Sequence, residues 1–285
     1  MNIENIIRLM KEQLGTGTEV TNVRVNKNNG VILEGIQIKE NGSNIAPVLY
    51  PDSTKSDIEN ADMLVKVYKN HETEKNRLLE ASQILTSWSS VKDIILPVMV
   101  NNQRNTNKEL YLIPFVGDLS IGFKAILDNT KQGVASVKIT NQLVEKWDIS
   151  EQDILEQAKE NLNNQLYISD MFSVMNSIMN GDSEPNTRIV NMDDIMNVAS
   201  NVNKVNGASA LLLIPDLIRN GEIENRDYTI LPSSVHEVII LKQAFEKAFV
   251  DMVKDVNGSM VSAEDYLSDN VFIYNHDKQA FEVAC

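Results

Sequence analysis

The sequence is poor in the residues that staple, metallate or anchor a chain. Its one cysteine is Cys285, so no disulfide can close within it. Three histidines, His71, His236 and His276, stand far apart, and with one thiol they cannot supply the roughly four nitrogen or sulfur ligands of a structural zinc site. His71-Glu72 opens like a zinc-protease helix, but Lys75 stands where the second histidine belongs. Met192-Asp193-Asp194 and Asp182-Ser183-Glu184 lack the ligand spacing of a calcium loop and read as solvated acids. No metal is expected. No cofactor is expected either, because Gly15-Thr16-Gly17 follows a helical pattern and lacks the third glycine of a dinucleotide loop. The longest apolar run, Ala210-Leu211-Leu212-Leu213-Ile214, falls far short of the roughly 20 residues that span a bilayer. Residues 1–11 carry Glu4 and Arg8 in an amphipathic pattern and do not read as a secretory signal. Together these absences point to a reducing cytoplasm and away from the membrane.

Basic side chains are in the minority. Against 26 Lys and Arg stand 40 Asp and Glu, a formal net charge of −14. That argues against general nucleic-acid binding, which needs clustered cations, and no patch interleaves lysines with aromatics. The acids are spread along the chain, as on an ordinary solvated surface. The sharper alternative is an acidic inhibitor that occupies the nucleic-acid site of a defence protein.

The hydrophobic fraction, 42% of 285 residues, is enough for a self-sufficient core. Ile3, Ile6, Ile7, Met10 and Leu14 recur at helical spacing, with Gly15 as the stop. Residues 20–25 and 30–38 read as a β-hairpin, 44–50 as a third strand and 56–88 as helix. Strand patterns return at 94–100, 110–115, 119–127 and 133–139. The polar stretch 101–108 is the candidate boundary, giving lobes 1–104 and 105–285, with a single domain as the alternative. Ser150 with Asp153, flanked by Ile149 and Ile154, predicts a capping box and hydrophobic staple at a helix start. Residues 166–179 read as helix and 208–214 as a strand. Strands at 227–231 and 235–241 flank the short loop 232–234, so they should pair antiparallel. A helix at 243–256, a second capping box at Ser262 and Asp265, and a hairpin of 271–274 with 280–283 close the chain. Strands cluster and helices cluster without βαβ alternation, which predicts an α+β fold with mixed or antiparallel sheets and helices packed on them.

The strongest chemical candidate is Leu231-Pro232-Ser233-Ser234-Val235-His236-Glu237. On a continuous strand Ser234 and His236 share a face, the start of a nucleophile and base for acyl transfer or hydrolysis. No third residue orients the ring locally, and no glycine-rich elbow frames the serine. The plainer reading is a histidine packed on an apolar strand. Ser233, Asn44 and Pro47 are the candidate binding residues. Met171, Met175 and Met179, spaced four apart, read first as core and second as an adaptable binding face.

Several stretches carry a resemblance: Asn28-Asn29-Gly30-Val31, Gly42-Ser43-Asn44-Ile45-Ala46-Pro47, Asn206-Gly207-Ala208, the segment from Ile230 to Val238, Val253-Lys254-Asp255-Val256-Asn257 and Leu267-Ser268-Asp269. With these the chain resembles a family of uncharacterised proteins from gut Gram-positive anaerobic bacteria, labelled only as a domain of unknown function. It departs from that family at Ile113-Pro114-Phe115, where members often carry a Pro-His pair. The resemblance implies a cytoplasmic α+β protein, sometimes linked to mobile elements, and no reaction. The residues favour a non-enzymatic module that binds another protein, with the Ser234/His236 hydrolase and the acidic inhibitor as alternatives.

Overall fold

The computed structural model describes residues 1–40, 46–71, 84–130, 133–181 and 187–284. The chain forms two compact units, Met1–Thr86 and Ser87–Cys285.

In the first unit the amphipathic helix α1 (Ile3–Leu14) forms as its spacing predicts. Asn2 caps it by accepting from the N–H groups of Glu4 and Asn5, and Gly15 ends it at φ 76°. The hairpin β1 (Thr18–Asn26) and β2 (Ile32–Glu40) pairs antiparallel, from Thr18 opposite Glu40 to Asn26 opposite Ile32. The expected third strand is β3 (Val48–Leu49) alone; Asn44 and the Asn41-Gly42 turn lie outside the described residues. Of the expected helix 56–88 the structure shows α2 (Asp57–His71) and the short α3 (Trp88–Val91), which begins the second unit, while 72–83 lie outside the described residues. Ile6 and Met10 of α1 pack with Val20, Ile36 and Ile38 of the sheet and with Ala61, Leu64, Val65 and Tyr68 of α2.

The second unit opens with β4 (Ile95–Asn101), β5 (Ile113–Val116), β6 (Leu119–Thr130) and β7 (Gly133–Lys138), an antiparallel sheet in which β6 pairs with the other three. Helix α4 (Asn141–Trp147) leads to α5 (Glu151–Asn163), where the Ser150/Asp153 capping box is present as expected. Next come β8 (Leu166–Asp170), α6 (Met171–Asn180), β9 (Ile189–Val190) and β10 (Met196–Asn201). A buried 3-10 helix, Gly207–Leu213, runs into α7 (Ile214–Arg219), followed by β11 (Tyr228–Ser234) and β12 (Glu237–Leu241). Helix α8 (Ala248–Ser259), β13 (Phe272–Asn275) and β14 (Ala280–Val283) complete the chain. The larger sheet has the order β14-β13-β11-β12-β10-β8-β9. All its pairs are antiparallel except β8 with β9. The fold is α+β, as expected.

Three local expectations are corrected. Residues 166–170 are a strand before a helix, because Leu166, Tyr167 and Ile168 are buried between neighbouring strands and the turn to α6 comes at Asp170. Residues 207–213 form a 3-10 helix, because all seven are buried and no alternating pattern marks a face. Ser262 and Asp265 bond as in a capping box, but the chain there makes only a turn.

The two faces of the larger sheet differ. One carries Ile168, Asn197, Ala199, Tyr228, Ile230, Val238, Ile240, Phe272 and Tyr274, none more than 2% exposed. The 3-10 helix packs on this sheet at β10 and β12 and also reaches β4 and α5. On the other face, Met171 and Val174 of α6 pack on Tyr167, Val198 and Ile189. Phe245, Phe249, Val250 and Val253 pack there on Leu231, Ile239 and Leu241. Register places Met196 of the interior strand β10 on this second face, opposite Leu241, and it is 39% exposed.

A buried carboxylate ties the smaller sheet to the larger. Asp118, in the β5–β6 turn, accepts from Ser268 Oγ at 2.7 Å, Asn270 Nδ2 at 2.9 Å and Asn101 Nδ2 at 2.8 Å. Asn101 also donates to the Leu267 carbonyl, and its own side-chain oxygen accepts from the N–H groups of Gln103 and Arg104. The compact units divide N-terminal to the expected 104/105 boundary, since β4 lies before the polar 101–108 stretch and pairs with β6 beyond it. Removing the carboxylate would strand the donors of the buried Asn101 and Ser268, each costing about 1–3 kcal/mol, and that of the half-buried Asn270 at a smaller cost. Asp118→Ala should therefore lower stability by about 3 kcal/mol or more in chemical denaturation, against less than about 1 kcal/mol for an exposed control such as Gln152→Ala.

Candidate functional site

The sequence candidates meet at the β11–β12 hairpin. Its two-residue turn is Val235-His236, with Ser234 opposite Glu237, so Pro232, Ser233 and Ser234 belong to β11 and not to the loop. The strands pair antiparallel as expected. Because the chain reverses there, Ser234 ends β11 and His236 sits in the turn itself, so the two do not share a strand face. Ser234 Oγ accepts from the His236 backbone N–H at 3.0 Å, and Ser233 Oγ donates to Glu237 Oε1 at 3.3 Å.

The imidazole is engaged at both nitrogens. Nδ1 accepts from the Asn206 backbone N–H at 3.1 Å, which places the ring proton on Nε2, 3.0 Å from Asp265 Oδ1. Asp265 also accepts the Val235 N–H on its main-chain oxygen and, through Oδ2, the Ser262 hydroxyl. Asp265 is the orienting carboxylate that local reading of 231–237 could not find. Its only sequence signal is the spacing with Ser262, which suggested a helix start. The ring offers no lone pair to a serine proton, and its geometry is that of a clamp on the turn.

Gly207 completes the clamp. A Cβ there would lie 2.7 Å from the His236 carbonyl oxygen and 2.6 Å from the Asn201 nitrogen, both backbone atoms. Asn206 precedes it in the left-handed region at φ 55°. The stretches Asn206-Gly207-Ala208 and Val235-His236 are thus two sides of one close backbone contact, with Ala208 N–H donating to the Val235 carbonyl at 3.2 Å. Nearby, Tyr266 lies under the Arg104 guanidinium, 3.3 Å from the ring centroid, and burial raises its phenol above the usual value.

Beside Asn206 opens a cleft of about 390 Å³ with Leu96, Pro97 and Ile126 on its apolar side. Its polar groups largely bond one another. Lys124 Nζ donates to Asn206 Oδ1 at 3.2 Å, Asn203 Nδ2 to Gln165 Oε1, and Asn201 holds Asn203 and Val205 in their turn. Among the described residues no cluster of three His, Cys, Asp or Glu could hold a metal ion, and no helix is long and apolar enough to cross a membrane. Pro47 lies in the first unit, where its carbonyl accepts from Ile38 N–H at 3.1 Å, and Asn44 falls outside the described residues.

The methionine spacing leads elsewhere. On α6 only Val174 is buried, while Phe172, Met175, Ile178 and Met179 are 69%, 54%, 69% and 80% exposed. Met171 packs inward, but Met175 and Met179 do not belong to the core. On α8 Met252 and Val256 are exposed, with Met260 just beyond its end, and Ile195 and Met196 are exposed at the start of β10. Asp170 caps α6, and hydrogen bonds from the Ser173 side chain and N–H hold its carboxyl below the usual range.

A family model described as "Family of unknown function (DUF5688)" matches residues 2–276. No curated protein and no solved structure matches the chain.

The engaged ring predicts that a serine-directed phosphonate leaves the folded chain unlabelled, identically to Ser234→Ala. Labelling lost in Ser234→Ala would show instead that the imidazole turns to serve the hydroxyl.

Proposed function

We propose that this chain, which belongs to the DUF5688 family of unknown function, is a non-enzymatic module that binds another protein in the cytoplasm. The carrying observation is the apolar side chains left in water on the second face of the larger sheet. Phe172, Met175 and Met179 form a row along α6, three and four residues apart, beside the side that packs inward. Single exposed apolar residues are ordinary, whereas several large ones on adjoining elements mark an interaction surface. An aromatic ring among flexible thioethers is also the composition of adaptable contact surfaces. The hairpin clamp and the Asp118 anchor fit this reading as supports that keep the sheet rigid.

The test is site-specific cross-linking in the native cytoplasm, with a photoreactive residue at Met175, at Met252, or at the exposed polar control Gln152. The expected result is a discrete cross-linked product from Met175 and Met252 and none from Gln152. Met175→Lys with Met179→Lys should reduce recovery of that product about tenfold or more while changing stability by less than about 0.5 kcal/mol per substitution, since both chains are exposed. Equal products from all three positions, or none from any, would contradict the reading.

A further inference from the structure

The open face has a charge pattern as well as an apolar one. On α8 the exposed Met252 and Val256 are each preceded by an exposed carboxylate, Asp251 and Asp255, and these acids, four apart, form the adjoining row. The lysine of α8, Lys254, falls on the opposite side of the helix by its spacing from Met252 and Val256. The exposed Asp193 and Asp194 lead directly into the exposed pair Ile195-Met196. The two helices sit over different strands of one face, α6 over β8 to β10 and α8 over β11 and β12. The apolar row of α8 and the exposed pair at the start of β10 are therefore bordered by carboxylates.

We infer that this face seats a cationic amphipathic helix of another protein, its apolar side on Phe172, Met175, Met179 and Met252 and its Lys or Arg side chains against Asp251, Asp255, Asp193 and Asp194. The inference rests on the docking reading above and names the chemistry of the partner. Apolar anchors every three or four residues are what a helix lays into such a surface, and unbranched methionines repack around varied anchors. Charge then selects among apolar helices. A second copy of this chain would bring the same carboxylates against each other, and an anionic lipid surface would be repelled likewise. The net charge of −14 favours approach of a basic segment over an acidic one.

The experiment uses the full chain carrying ¹³C-methyl methionine and two probes: a leucine/lysine amphipathic helical peptide of about four turns, and its leucine/glutamate counterpart. The lysine peptide should shift the methyls of Met175, Met179 and Met252 and leave the buried Met10 and Met99 unmoved. The glutamate peptide should bind at least about tenfold more weakly. Asp251→Asn with Asp255→Asn should weaken the lysine peptide about threefold or more, and added salt should do the same. Equal binding of both peptides at these methyls would overturn the cationic partner and leave the docking face standing. Self-association that Met175→Lys abolishes, with no peptide bound, would also overturn it by making a second copy the occupant. If neither peptide moves these methyls and the chain stays monomeric, the partner class and the docking face fall together. Shifts spread over the acidic surface and absent from Met175 and Met179 would likewise overturn the site.

Discussion

A seven-stranded sheet has two faces to cover, and the chain covers them unequally. The residues on one side, from Ile168 on β8 to Tyr274 on β13, are removed from water almost completely. The buried 3-10 helix Gly207–Leu213 packs on the sheet at β10 and β12 and reaches β4 and α5. The other side receives two separate helices, each packing through part of its surface. Burying a large apolar side chain contributes roughly 1.5–3 kcal/mol, so leaving Phe172, Met175, Ile178 and Met179 in water forgoes stability the fold could have had. A surface kept at that expense has a use when a partner supplies the missing cover.

The polar residues that look chemical in the sequence are mostly occupied with holding the fold. His236 joins the hairpin turn to Asn206 on one side and Asp265 on the other. Gly207 lets the chain pass against the His236 carbonyl where any side chain would collide. Asp118 gathers Asn101, Ser268 and Asn270 into a buried network between the end of β4 and the loop before β13. Such networks are stabilising only when every donor and acceptor is satisfied, and a satisfied network fixes a single arrangement of the elements it joins. Four of the stretches behind the family resemblance, at 206–208, 230–238, 253–257 and 267–269, contribute to these junctions or to the packing of α8.

Features set by neighbours in sequence were legible from the start. The Ser150/Asp153 cap, the hairpin of β1 and β2, the Gly15 stop and the hairpin of β13 and β14 all depend on contacts within a few residues. Features set by distant chain were not. Residues 166–170 become a strand only because β10 and β9 lie on either side. Asn101 looks like a loop residue until Asp118 and Leu267 meet it. The Ser234/His236 pairing assumed one straight strand, and a two-residue turn at Val235-His236 redirects both side chains. The methionine spacing on α6 was visible, but not whether the row faced the sheet or water. Periodicity marks a face without saying what covers it.

The account depends most on the second face being open in the folded chain. A soluble paramagnetic chelate, added to protein with labelled methionine methyls, reports this directly because relaxation falls steeply with distance from solvent. Met175, Met179, Met252 and Met260 should broaden strongly while Met10, Met99 and Met192 remain sharp, following their exposure. Protection of Met175 and Met179 comparable to that of Met99 in the monomeric chain would mean that the chain covers this face itself, and the docking surface would be contradicted.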